Sequence, residues 1–400
     1  MKALLLYNNS RILISGAGVA GLTAAYWLKK YGFEPVIIEH APHLREGGYM
    51  IDFWGLGFDV AEKMGILPDL ENAHYNIPLL EYIDENNRRK GGISIEKMRA
   101  AVNYRHYNLL RGNLVRILYD LVSPSTEIIF DRSIQSVNQD EDEVSVVMTD
   151  GNTQSFDLLI GADGLHSNVR SLVFGKEEEY EKYLGYYVSS FTIDNFLDEQ
   201  RIFRMYNTPG KQIGVYSVAE NKLAAFLVFK QKERLNLSHH DMDGAKKVLW
   251  EVYSDMGWES QSILERMESA PDFYFDIVSQ ILMDQWYKGR VTLIGDASHC
   301  VSLLAGQGSA LAMASAYTLA GELKEASGDY SAAFKEHESI LTPEIERTRN
   351  IAMDFVDEFV PDSRFAIWKR NITSRFTRFE FVMKMFVKQF MEDAIELKNY

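Results

Sequence analysis

The chain has 400 residues, 46% apolar and 25% charged, and its 42 Lys and Arg against 57 Asp and Glu give a net charge of −15. These values exclude a collagen-like, low-complexity or wholly disordered chain, and the acidic balance argues against a nucleic-acid partner. One cysteine, Cys300, excludes an internal disulfide framework and a Cys-based zinc cluster.

At about 150 residues per domain, the length predicts two or three domains. The N-terminal run Ala3–Tyr7 is shorter than the roughly 7–15 apolar residues of a secretory signal. No stretch approaches the roughly 20 apolar residues of a transmembrane segment. A soluble, cytoplasmic monomer is expected.

Arg11–Ser15 reads as a buried strand, Gly16-Ala17-Gly18-Val19-Ala20-Gly21 as a turn, and Leu22–Tyr31 as a helix ended by Gly32. Pro35–Glu39 follows as a second strand. Strand, glycine turn, helix and strand within about 30 residues make a βαβ unit. Gly16 permits the tight turn, Gly18 lets a pyrophosphate approach the backbone, and Gly21 lets helix and strand pack closely. The N–H groups at the helix start favour phosphate. Glu39 lies 18 residues after Gly21, placed to accept from ribose hydroxyls, and suits an unphosphorylated ribose.

Two more strand-like runs end in turns carrying Gly and Asp. Phe156–Ile160 leads into Gly161-Ala162-Asp163-Gly164, and Arg290–Ile294 into Gly295-Asp296-Ala297-Ser298-His299. Each sets a carboxylate at the C-terminal edge of a sheet, where ligands of open α/β sheets bind. Alone, either Asp is equally a helix cap. Gly306-Gln307-Gly308 then opens a helix over about Ser309–Ala326, whose N-terminus presents N–H donors and a positive dipole end.

GxGxxG near the start, GADG in the middle and GDASH followed by GQG, spanning Ile12 to about Leu319, resemble the FAD-dependent aromatic hydroxylases typified by p-hydroxybenzoate hydroxylase. Leu44–Asp52 and Ala316–Leu323 are most similar to the tetracycline-inactivating monooxygenases. The resemblance implies that Gly16, Gly18 and Gly21 bind the FAD pyrophosphate and Glu39 the adenosine ribose. It places Arg45 and Arg111 beside the flavin, Asp296 on the FAD chain, and Gly306, Gln307 and Gly308 at the flavin pyrimidine edge. Asp163 and Gly164 match a motif tied to both FAD and NAD(P)H. His299 falls at the FAD turn, where a structural role is expected rather than that of a base. Two departures stand out: Val301–Ala305 replaces the prolines common before GQG, and Ala310 replaces an Asn.

The expected fold is α/β: a discontinuous Rossmann-like FAD domain (9–74, 100–172, 285–343), a β-sheet substrate domain (75–99, 173–284) and C-terminal helices (344–400). Partial alternation in Gly185–Phe191, Gln212–Val218 and Leu223–Phe229 predicts a sheet with one covered face. Tyr186, Phe191, Phe226 and Phe273 are candidate pocket residues, each individually better read as core. From Pro343 the chain reads helical. Arg364–Lys388 holds seven Lys or Arg against Glu380 alone, interleaved with aromatics. It reads as a helix docked on an acidic body with its aromatic face buried, or else as one lying on a membrane. The tetracycline-inactivating enzymes have a domain-bridging C-terminal helix, which this tail resembles.

The resemblance implies hydroxylation of a phenolic or enolic polycycle, possible tetracycline inactivation included, with NAD(P)H as transient co-substrate and O2 as oxygen donor. No metal and no protein nucleophile are required. A hydroxylase tailoring a polyketide, a flavin oxidase or dehydrogenase, and a flavin-dependent ligand-binding protein without turnover remain as alternatives.

Overall fold

The computed structural model describes residues 10–44, 49–219, 221–238 and 241–400. Arg11–Ser15 lies inside a six-stranded sheet, between Glu34–Ile38 and Leu158–Gly161. Val291–Leu293 joins beyond Leu158–Gly161, and Glu127–Ile129 beyond Glu34–Ile38, all parallel. Tyr287–Lys288 closes one edge antiparallel. Parallel strands are buried on both faces, which explains their continuous apolar runs. Ile12 and Ile14 pack under the helices Val19–Lys30, Arg111–Val122 and Gly308–Glu325. Leu13 faces the other way, with Val144 and Val146 of a small antiparallel sheet and with Leu341 and Ile345.

Register fixes where the turns fall. Ser15 pairs with Ile38 and with Gly161, and Gly161 with Leu293. The three glycine-bearing turns therefore leave one sheet edge side by side. Strand order reverses direction at Arg11–Ser15, and such a switch point opens a ligand crevice beyond the strand ends.

A second sheet has seven strands, in the order Tyr274–Ile281, Glu181–Asp194, Lys222–Lys230, Lys211–Ala219, Ile202–Thr208, Leu79–Ile83, Arg89–Ser94. Its pairs are antiparallel except Ile202–Thr208 with Leu79–Ile83. Both faces are covered, not one. Tyr187, Phe191 and Phe229 pack under the helices Met242–Tyr253 and Ser260–Met267. Tyr186, Tyr216 and Phe226 pack toward Leu304, Val356 and Val360.

The helix Tyr330–Phe359 is continuous through Pro343, where a helix start was expected. Its flanks Leu341, Glu344 and Ile345 are buried, and that packing outweighs the lost backbone bond. Arg364–Lys388 is not one helix but Arg364–Thr373, a tight turn Ser374–Arg378, and Glu380–Phe390. Its aromatic face is not buried: Phe365 is 70% exposed and Trp368 58%. Arg370 instead turns inward over the Tyr82 ring at 3.8 Å. The turn packs on the edge strand, where Gly92 N–H donates to Ser374 Oγ at 3.0 Å. No described helix is long and apolar enough to cross a membrane.

Candidate functional site

The turn after the first strand is interlocked by its glycines. Gly16 has φ +109°, and a Cβ there would stand 2.5 Å from the Ala162 carbonyl oxygen. A Cβ on Gly21 would stand 2.0 Å from the Gly16 oxygen. Gly18 is different, since the nearest neighbour to a Cβ would be Arg111 Nη2 at 3.7 Å. Gly18, Val19 and Ala20 line a cavity of about 320 Å³, within the size range of small-molecule sites. The helix Val19–Lys30 has no side-chain cap, so its first-turn N–H donors are left for a ligand.

The other turns converge on the same cavity. Asp296, Gly306, Gly308 and Arg111 line it. Gly308 would place a Cβ 3.7 Å from Asp296 Oδ1, and Gly306, at φ +69°, one 3.5 Å from the Trp54 ring. The helix Gly308–Glu325 also starts without a side-chain cap. Burial pushes the Asp296 carboxyl up, while the Arg111 cation pulls it down. Burial likewise lifts the Tyr49 hydroxyl to about 12 against the pull of Arg111.

Gly16, Gly21, Glu39, Asp163 and Gln307 stand behind this wall. Glu39 accepts from the N–H groups of Ala17 and Ala41, both at 2.9 Å, which ties it to the glycine turn. Asp163 accepts from Ser167 Oγ at 2.5 Å and from Val169 N–H at 3.0 Å, so its carboxylate is engaged at the start of the helix Asn168–Val173. Gln307 is buried, and its Nε2 has no partner among the described residues. Arg45 lies outside the described residues. His299 is buried against Trp286 at 4.7 Å and bonded to Ser298 Oγ; burial pushes its pKa well down, and it is a packing residue.

The substitutions around GQG have local reasons. Ala310 Cα would stand 2.5 Å from a Cβ on Gly57, so two helices meet there with no room between them. Ser302 takes φ +118° and accepts from Leu304 N–H, turning the chain into the cavity wall without proline.

The opposite wall is aromatic. Tyr216, Phe226 and Tyr274 come from the seven-stranded sheet, Phe359 from the long helix, and Phe386 and Phe390 from Glu380–Phe390. Of the four aromatics singled out in the sequence, Phe226 alone lines the cavity; Tyr186 and Phe191 are buried core, and Phe273 packs on Phe191. Tyr49 falls in the Leu44–Asp52 stretch that carries the family resemblance, whereas Trp54 and Tyr274 belong to no motif that marks them as cavity residues. Their only sequence signal is an aromatic on a short strand or beside one.

Tyr274 begins a polar chain leading away from the cavity. Its hydroxyl donates to Asp276 Oδ2 at 3.1 Å. His166 bridges Asp276 at 3.2 Å and Glu177 at 2.8 Å, and Arg170 reaches Glu177 at 3.0 Å. Burial disfavours the His166 cation, but its two carboxylate partners lift the imidazole to about 10.

The donor set suits FAD. Two uncapped helix starts and a cation meet where the glycine turn leaves open space, and the buried Trp54 Nε1 in the cavity wall has no partner among the described residues.

Residues 9–331 match the FAD binding domain family. A flavin-dependent monooxygenase of Legionella longbeachae is 36% identical over 357 residues, covering 88% of this chain and 90% of the relative. The structure of the tetracycline destructase Tet(51) aligns at a TM-score of 0.84 and 33% identity, over 98% of this chain and all of that one. Klebsiella pneumoniae HpxO, solved with FAD and uric acid, shares the fold at a TM-score of 0.79 and 21% identity, over 98% of this chain and 100% of that one. The chain belongs to the FAD binding domain family and is an FAD-dependent monooxygenase of the aromatic-hydroxylase type.

Proposed function

We propose that the protein hydroxylates an enol- or phenol-bearing polycyclic compound of the size of a tetracycline. The observation that carries this reading is the single cavity joining the glycine-turn edge to the aromatic wall of the second sheet and the C-terminal helix. Such a wall suits a flat, largely apolar ring system with few polar anchors. The likeness to Tet(51) supports the same class.

When bound, FAD supplies the redox chemistry, taking electrons from NAD(P)H and activating O2. The protein's residues bind, orient and exclude water. In this reading Gly16, Gly18 and Gly21 shape the pyrophosphate seat, with the N–H groups at the helix start as donors. Glu39 holds the ribose side, while Asp163 acts by ordering its loop. Asp296, Gly306, Gln307 and Gly308 hold the flavin side, and Arg111 supplies the compensating positive charge. Arg45 is assigned beside the flavin by resemblance. The division into a FAD domain (9–74, 100–172, 285–343), a substrate domain (75–99, 173–284) and C-terminal helices belongs to the same proposal.

The test is to incubate the FAD-loaded protein with NADPH, air and a panel of tetracyclines, polyketides and simple phenols. The expected result is tetracycline- or polyketide-stimulated NADPH oxidation with a product heavier by one oxygen. Turnover of a simple phenol with every polycycle unchanged would reject the substrate class and leave the monooxygenase standing.

A further inference from the structure

Apolar side chains scattered singly over a surface need no explanation, but a cluster of them does. Phe365, Trp368, Phe376, Phe379, Phe381 and Met385 account for six of the eleven large apolar side chains exposed among the described residues. All lie within 21 residues. Phe365 stacks with Trp368 at 5.7 Å and Phe376 with Phe379 at 6.5 Å, so these rings spend their contacts on one another while facing outward.

Cations interleave with them. Arg364, Lys369, Arg375, Arg378, Lys384 and Lys388 are exposed. Glu380, the one acid between Arg364 and Lys388, is paired with Lys384 at 2.8 Å. This segment carries +6 in a chain of net charge −15. Beside it a hollow of about 400 Å³ opens between the edge strand Arg89–Ser94 and the turn Ser374–Arg378. Arg89, Lys90, Lys97, Arg375 and Arg378 line it. Among the described residues two carboxylates pair with these five cations: Asp84 meets Lys90 at 2.8 Å, and Glu81 meets Arg89 at 3.5 Å.

We propose that this face docks on the surface of an anionic phospholipid bilayer, with the aromatic rings at the headgroup–acyl boundary and the hollow holding headgroup phosphate. Aromatic side chains combined with Lys and Arg, without a spanning helix, are the pattern of interfacial attachment. Charge selects the occupant. A second copy seated face to face would set +6 against +6. A protein partner's contact centre is depleted of Lys, whereas Lys369, Lys384 and Lys388 are interleaved with the rings here. An anionic surface would repel the body of the chain and attract this face, and so orient the molecule.

One helix links the docked face to the cavity. Phe386 and Phe390 line the cavity, while Phe381, Lys384, Met385 and Lys388 on the same helix are exposed. An apolar substrate dissolved in the bilayer would meet the enzyme next to its own pocket. That consequence rests on the proposed substrate class; the docking does not.

The test is co-sedimentation of the full-length, FAD-loaded protein with phosphatidylcholine vesicles, with and without about 30% phosphatidylserine, at low salt and at about 0.5 M salt. Binding is expected only to the anionic vesicles and is expected to weaken as salt rises. The pairs Arg375→Glu/Arg378→Glu and Phe376→Ser/Phe381→Ser should each lower partitioning at least about tenfold. Retained FAD absorbance and melting temperature would show that both pairs fold. Brominated lipid should quench a tryptophan signal that Trp368→Phe removes. Absence of binding, or binding indifferent to lipid charge and salt, would overturn the proposal. Self-association abolished by the same substitutions, without vesicle binding, would overturn it in favour of a second copy.

Discussion

At the sheet edge, the cavity wall is built on glycine-bearing turns, and behind it the turns after Arg11–Ser15 and Leu158–Gly161 crowd against one another, with Gly21 against Gly16 and Gly16 against Ala162 at distances no side chain tolerates. On the far side the wall is side chains, and Phe386, Phe390 and Met391 reach it from an eleven-residue helix and the residue after it. That helix keeps Met383 buried and leaves Phe381 and Met385 exposed. The tail that follows is held by polar contacts. Ala394 N–H donates to Glu344 at 2.5 Å, and Lys398 and Tyr400 both reach Glu322. Asp393 sits where a Cβ on Gly55 would be 2.7 Å from its carboxylate. The first wall is intolerant of volume. The second is held by side-chain contacts, and the partly buried Asp393 makes it responsive to charge.

The largest expected effect breaks the first wall at its open point. Gly18→Val has room to fold, because among the described residues only Arg111 lies within 4 Å of a Cβ there, yet it fills the proposed seat of the pyrophosphate. The variant should be folded by circular dichroism and colourless, with FAD retention lost. A yellow variant of unchanged absorbance would show that the glycine turn does not bind the cofactor.

A smaller effect is expected between the two sheets, at His166. Its folded value of about 10 lies above the unfolded value of about 6.5. Its charged pairing therefore stabilises the fold fully below about pH 6.5 and is lost as pH rises toward 10. His166→Gln should melt about 3–6 °C below wild type at pH 6, and the gap should close by pH 10. A gap that stays constant with pH would show that Asp276 and Glu177 do not hold a charged imidazole.

The smallest effect sharpens the second wall. Burial and the neighbouring Glu344 raise the Asp393 carboxyl to about 7, above the unfolded value of about 3.9, so the penalty of ionising it grows as pH rises from about 4 to 7, is complete above about 7, and is fully relieved only below about pH 4. Asp393→Asn should raise the melting temperature by about 1–3 °C at pH 8, with the gain shrinking as pH falls and gone by about pH 4. Equal effects at both pH values would show that the tail does not feel this charge.

How much of this was legible in the chain follows from the range of the forces involved. The strands Arg11–Ser15 and Glu34–Ile38, the helix Val19–Lys30 and the long helix from Gly308 were readable because strand burial and glycine turns are local. Parallel strands with both faces covered must be apolar throughout, and only glycine takes the backbone angle and the close approach found at Gly16. The same locality made the family recognisable from four motifs. The fate of Arg364–Lys388 was not readable. An amphipathic pattern says that a helix has two faces, but which face meets protein depends on elements hundreds of residues away. Here the edge strand Arg89–Ser94 took the turn Ser374–Arg378, the Tyr82 ring took Arg370, and the aromatic face was left outside. The continuity of the helix through Pro343, the covering of both faces of the second sheet, and the line from Tyr274 through Asp276 to His166 have the same origin. The sequence by itself determined the turns that shape the proposed cofactor seat, since backbone geometry is set by neighbours along the chain; the tertiary structure alone decided which side chains close that cavity, because a side chain's partners are chosen by packing across the fold.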